Sequence, residues 1–262
     1  GPGALGQYSP EGSRQAVDRY LTYFDLPANH SGRQAHEERY YAVQWNAVTL
    51  VVLDLNNGIP HRGSSDTNWF LLGEGEGGLA PDWKPGSAQY LWLEQTLGQA
   101  QQNSAFTFVM FHHCPYSSGV HGLSPGERDG EDRLSGQPLR ALTPLFMRYG
   151  VDVVLTGHDE MYEHSLVPGQ EILQGGTSRE HALHVYDVGI GGDGLRGPIP
   201  GLVNPYRVFL AHEDAPEIRD GQGVLVDGGK HYGHLEVNVT AFDNGTWQAQ
   251  LDMVYLFPVA GE

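Results

Sequence analysis

The chain has 262 residues, 39% of them hydrophobic, with mean hydropathy −0.38 and a formal net charge of −17. That length can bury a sizeable core in one large α/β domain or two small ones, and no apolar run nears the ~20 residues that span a bilayer. The acidic balance excludes a nucleic-acid surface built from clustered Lys and Arg. A phosphate substrate would therefore have to be drawn by local positive charge, such as a bound metal cation. Cys114 stands alone, so no intrachain disulfide can form and the redox compartment stays open.

Taken in order, residues 13–24 place Ala16, Val17, Tyr20, Leu21 and Phe24 at helical spacing, with Ser13 as the N-cap. Residues 40–54 read as two short strands joined at Asn46-Ala47, the second apolar nearly throughout, as a strand covered on both faces should be. Residues 56–86, rich in Gly, Pro, Asn and Ser, predict a long loop. A helix over 87–103 and a strand over 105–112 follow, then a Gly-rich loop over 117–136. Leu139, Leu142, Leu145, Phe146 and Tyr149 predict a helix over 138–149, which Pro144 would kink. Gly150 supplies a left-handed C-terminal residue, and the strand 151–156 starts at once.

Strand, helix, strand in that order is a βαβ unit with a right-handed crossover between parallel strands. Ligands gather at the carboxyl ends of such strands, where His112 and His158 both stand. Beyond them, residues 161–167 predict a strand closed by a Pro168-Gly169 turn, and residues 175–227 predict irregular structure. Residues 231–242 and 246–256 alternate around Asn244-Gly245, a strong hairpin signal. No repeat or linker interrupts the chain, so residues 1–262 are expected to form one domain.

His112 and His158 have the composition of an imidazole pair for zinc, iron or manganese, and Asp159 and Glu160 offer hard oxygens beside them. Glu160 is preferred over Asp159, because alternate residues of an extended segment point the same way. Spacing alone leaves two readings open, a metal pair and ordinary satisfied polar residues. Cys114 next to His113 could suggest a thiol nucleophile, yet neighbours on a strand face opposite ways, so Cys114 is expected to be packed.

Val109-Met-Phe-His112, followed by His-Cys-Pro-Tyr116-Ser-Ser-Gly119 and then by Gly150-Val-Asp-Val-Val-Leu-Thr-Gly-His158, resembles the last two metal motifs of the calcineurin-like metallophosphoesterases. The purple acid phosphatase branch is the most similar, and the likeness runs from about Phe24 to Ser165 with the closing Tyr232-Gly-His-Leu-Glu236 segment. The resemblance implies the C-terminal half of a four-layer α/β/β/α sandwich with mixed sheets and helices outside. It implies a phosphatase or phosphodiesterase using two metal ions, iron, manganese or zinc with magnesium as a further option, that orient phosphoryl oxygens and activate a water. His112 and His158 would bind one ion. Glu160 stands where the family has a second histidine and would bind the other, a harder donor favouring manganese, magnesium or iron there. His121 matches a family histidine that contacts the phosphate or protonates the leaving group, with His113 beside it as a second substrate contact.

The family's earlier motifs, which supply a bridging aspartate and an asparagine ligand, do not occur in these residues. Ala28-Asn29-His30 imitates one of them but reads as a loop. Without those strands residues 151–156 would have a bare apolar edge. The expectation is therefore a site completed by the N-terminal half of the same domain as a separate chain, acting on a small phosphate ester. The alternative is a non-catalytic binding or regulatory module that keeps the fold. The family resemblance leans toward a secreted or periplasmic location.

Overall fold

Val48–Val52 (β2), apolar except at Thr49, pairs antiparallel with Tyr41–Trp45 (β1), Trp45 facing Val48 across a tight turn in which Asn46 takes φ +50°. In this computed structural model, which describes residues 10–55, 80–124, 135–192, 194–211, 218–227 and 230–256, that hairpin is one edge of a seven-stranded mixed sheet. Phe106–His113 (β3), Val153–Gly157 (β4), Tyr162–Ile172 (β5), Ser178–Val188 (β6) and Arg207–Leu210 (β7) complete it. The order is β1-β2-β3-β4-β6-β5-β7, with β2, β3, β4 and β6 parallel. β5 runs antiparallel to β6 and to β7. Residues 56–79 of the predicted long loop, and residues 125–134 of the later one, lie outside the described residues.

Helices cover one face of the sheet. Ala88–Asn103 (α2) is capped by Ser87, whose side chain accepts from the Tyr90 N–H, and it buries Leu93 and Leu97 against Val109 and Phe111. The predicted helix 138–149 is instead a 3₁₀ segment, Gln137–Leu142, running into Thr143–Arg148 (α3). Pro144 does not kink a helix; it occupies the first turn of a new one, where its missing N–H has no partner to lose. Gly150 takes φ +65° as expected. Pro10–Tyr23 (α1) begins before Ser13, which lies inside the helix rather than capping it, and Tyr20 and Phe24 stay partly exposed with their rings 5.1 Å apart.

The other face is packed by the closing hairpin, Gly233–Ala241 (β10) with Trp247–Tyr255 (β11), turning at Gly245 with φ +81°. Phe108, Val153, Tyr162 and Tyr186 form this second core with Leu235, Leu251 and Met253. A small pair of strands, Ile218–Arg219 (β8) and Leu225–Asp227 (β9), stands apart. Ala28-Asn29-His30 is a loop, as predicted: the Asn29 side chain donates to the His36 carbonyl and the Glu37 carboxylate accepts its backbone N–H.

Two expectations fail together. Residues 175–227 are not irregular throughout, because β6 is an eleven-residue strand in the middle of the sheet. Nor is the edge of β4 bare: Val153 to Thr156 pair with His184 to Asp187 of β6. The bare edge thus lends no support to a separate partner chain. Pro168-Gly169 is not a turn either. The N–H of Leu166 points to Tyr206 at the start of β7, so the Pro168 nitrogen, two residues on, faces the same side after β7 has ended, and no ladder bond is lost. Gly169 lies where a Cβ would meet Met147 at 2.7 Å, which lets α3 sit close on the strand.

Candidate functional site

β3 and β4 end side by side, with His113 opposite Gly157. The register slips between Met110 and His113, and such an irregularity re-aims side chains that strict alternation would send to opposite faces. His112 and His113 therefore both reach His158. His158 itself takes φ +80°, a left-handed conformation that costs an ordinary residue roughly 1–3 kcal/mol and turns its ring back over the strand ends. Its Nδ1 lies 2.9 Å from His112 Nε2. Ring centres are 4.7 Å apart for His112 and His158, 4.3 Å for His113 and His158, and 5.2 Å for His112 and His113. His121 stacks at 4.0 Å on His158.

Burial favours the neutral form of His112 and His113. It pushes His113 down to about 3, with His112 and His121 adding to the effect, and it lowers His112, with His121 again contributing. A neutral imidazole offers a lone pair rather than a second N–H, which is the state a metal requires.

His121 is delivered by a short 3₁₀ turn, Val120–Gly122, fastened from three sides. The Asp159 carboxylate accepts from Ser117 Oγ at 2.5 Å and from the His121 N–H at 3.2 Å. Glu163, on β5, accepts the Ser118 N–H at 2.6 Å, the Ser118 hydroxyl at 2.8 Å and Asn204 Nδ2 at 2.8 Å. Gly119 and Gly122 pass so close to Asp159 and to the Ser117 carbonyl that a Cβ at either would collide. Asp159 is thus buried as an anchor for the loop and does not face the imidazoles as a ligand.

Glu160 is engaged by Arg196. Its carboxylate pairs with Arg196 Nε at 2.6 Å, and its carbonyl accepts the Arg196 N–H at 2.7 Å. Cys114 is buried, donates to the Tyr116 carbonyl at 3.4 Å, and has its thiol pushed well up by burial, so it is no nucleophile. Tyr162 belongs to the second core, with Tyr186 and Phe209 around it. Asp187, on β6, was missed by sequence reasoning. It is fully buried, and burial together with the charges of Asp159 and Glu163 raises its carboxyl well above the usual range. Glu163 and Asn204, which fix the His121 loop, were not singled out by sequence reasoning.

As a test of fit for a metal, His112 Nε2 and His158 Nδ1 converge as two ligands of one ion would. Among the described residues no three His, Cys, Asp or Glu donors are positioned around one point. His112 opens on a cavity of about 600 Å³ between the second face of the sheet and β10, lined by Val52, Met110, His112, Leu155, Val188 and Leu235 among others.

No protein-family model matches the sequence, and no curated protein matches it. Among solved structures, the chain is similar to a purple acid phosphatase, PPD1, from yellow lupin (Lupinus luteus) seeds, with 18% identity and a TM-score of 0.53 over 95% of this chain. The chain shares with that protein an α/β fold built on a mixed seven-stranded sheet. At this identity the likeness carries the fold alone, and the chain covers 36% of the lupin protein. PhoD aligns at 16% identity and a TM-score of 0.42, over 76% of this chain and 39% of that one. GAP50, the anchor in the inner membrane complex of Plasmodium, aligns at 17% identity and 0.34, over 65% and 42%.

Proposed function

We propose that the chain carries the histidine-bearing part of a metal-dependent phosphoric ester hydrolase of the purple acid phosphatase-like branch. The observation behind this reading is the 2.9 Å approach of His158 Nδ1 to His112 Nε2 at the ends of adjacent parallel strands. His112 and His158 would hold the ion. When bound, it supplies Lewis acidity toward a phosphoryl oxygen and lowers the pKa of a water it holds. His121, buried against His158, would hold a proton at Nδ1 for the leaving oxygen, and the Asp159 and Glu163 anchors would keep that ring in position. The apolar cavity takes the organic part of a small ester.

Further ligands and the rest of the cover for the sheet's second face are proposed to come from polypeptide beyond these 262 residues. Support lies in the open cavity beside His112 and in the two-donor set. A second reading, a non-catalytic binding or regulatory module, is favoured by one observation: Glu160 is already committed to Arg196. Turnover of p-nitrophenyl phosphate and of its bis ester by the native preparation, with manganese, zinc or iron supplied, separates the two. Activity that disappears in His112→Ala and His158→Ala supports the hydrolase. Activity that persists in both variants, or its absence from a complete metal-loaded assembly, leaves the binding module. A denaturing gel of the native preparation tests for the second chain.

A further inference from the structure

We propose that the outer edge of β1 is a contact between two copies of the chain, which join their sheets by antiparallel pairing of residues 41–45 about a two-fold axis at Val43. Trp45 faces Val48 across a two-residue turn. The pair beside such a turn exchanges hydrogen bonds, and bonded pairs alternate from there along the ladder. Tyr41, Val43 and Trp45 thus direct their backbone groups to β2. Those of Ala42 and Gln44 point away from it, and among the described residues no backbone group is bonded to them.

Proteins normally guard an exposed strand edge with a charge, a proline, a bulge or shortness, because its unpaired groups are a template for another strand. β7, at the opposite edge of the sheet, has three of these guards: it is four residues long, it carries Arg207, and its register against β5 is irregular. β1 has none of them. It is five residues long and regularly paired, and residues 40–53 carry no charged side chain in a chain whose net charge is −17. Charge is what would keep two copies apart, and it is missing where their β1 edges would meet.

The edge is also its own complement. Ala42 and Gln44 face the helices, Ala42 on the first core and Gln44 donating to the Asn103 carbonyl at 3.2 Å. Tyr41, Val43 and Trp45 alternate onto the second face, where Val43 is 40% and Trp45 75% exposed. Pairing about Val43 sets Ala42 of one copy opposite Gln44 of the other, and both such pairs exchange N–H···O bonds. Val43 then meets Val43, and Tyr41 meets Trp45, in the non-bonded pairs where side chains approach most closely. Aromatic pairs across strands are among the stabilising ones, and the two exposed indoles are covered together. The contact is short, below the ~1,200 Å² of a standard stable interface, so the dimer is weak and depends on concentration.

Sedimentation velocity of the full chain, loaded from about 5 to 500 μM so that a Kd in that span is read directly, tests this. The mass should pass from 28.7 kDa to twice that value as concentration rises. It should do so more readily at about 0.5 M than at about 0.05 M salt, because screening relieves the repulsion between two acidic copies. Val43→Lys and Val43→Glu each set like charges opposite one another on the axis, and each should weaken dimerisation at least roughly tenfold. An equimolar mixture of the two variants should restore the dimer, since opposite charges then face each other, a rescue that no loss of folding produces. Trp45→Thr, at a position more exposed still, should also weaken the dimer with its circular dichroism unchanged, and it decides the matter if the variants at Val43 do not fold. A chain that stays monomeric throughout, a dimer equally tight in Val43→Lys and Trp45→Thr, or a mixture no tighter than either Val43 variant alone would overturn the proposal.

Discussion

The Asp159 carboxylate fills the space that a side chain on Gly119 would need. Gly119 has φ −79° and ψ −175°, which any residue adopts, so the obstacle to substitution is steric and not conformational. Gly119→Ala should therefore destabilise by about 1–3 kcal/mol, as overpacking of a close contact does. Urea unfolding of Gly119→Ala, Asp159→Ala and the double variant checks this: the penalty should shrink once Asp159 is truncated, and additive effects would refute the contact as its source.

His158 allows the backbone strain to be measured apart from the chemistry. Its φ of +80° suits glycine and penalises any residue with a Cβ. Both His158→Ala and His158→Gly should lose metal and turnover, yet the glycine variant should be the more stable by about 1 kcal/mol. Equal unfolding midpoints would mean that the left-handed backbone carries no penalty. This comparison is informative because alanine is the better tolerated of the two almost everywhere else.

His164 and His184 give the fold a pH dependence below neutrality. Their rings share a 3.0 Å contact between Nε2 and Nδ1, and His164 stacks on Tyr186 at 4.2 Å. Burial first, and then His184, lowers His164 from 6.5 to about 4. The unfolded chain therefore takes up protons before the folded one does, so stability present above 6.5 is lost as pH falls toward 4. His164→Gln should flatten the slope of urea midpoints across that window. An unaltered slope would place the effect elsewhere.

Asp187 works in the opposite sense. Burial, then the Asp159 and Glu163 charges, keep its carboxyl protonated above its ordinary 3.8. The folded state thus holds a proton that the unfolded chain has released, and stability falls as pH rises from 3.8 toward the folded value. Asp187→Asn, neutral and of the same shape, should be more stable than the unaltered chain at neutral and alkaline pH, by thermal melting. A variant less stable at every pH would mean that the carboxyl has a partner it needs.

The parts of the fold that the sequence discloses are those where pattern and environment agree. Val48–Val52, buried on one face and half-buried on the other, reads as an apolar run broken only by Thr49, while the Asn244-Gly245 turn announces its hairpin. β6 escapes notice because its neighbours make polar residues acceptable inside: His184 leans on His164, and Asp187 is accommodated by protonation. Pro168-Gly169 misleads because a proline signals a turn only when its nitrogen would otherwise face a partner strand. At the site, the strand ends were legible, but the slip that turns His113 toward His158 depends on β4, and the ion pair that occupies Glu160 comes from Arg196, thirty-six residues downstream.

The crossed order of β5 and β6 also sets when the site can come into being. Residues 162–172 leave β4 and pass over one position in the sheet, and residues 178–188 return into the gap. The two strands are joined by a short turn through Gly175 and Gly176, so their ladder is local and hairpins of this kind close in about 1–10 μs. Docking that hairpin against β4 closes a longer loop and comes later. A nascent chain that has emerged only as far as His158 carries His112, His121 and His158 but has neither Asp159 nor Glu163 to hold the turn at Ser117 and Ser118. Metal affinity should therefore appear during synthesis after the ligands themselves, once the β5–β6 hairpin has docked.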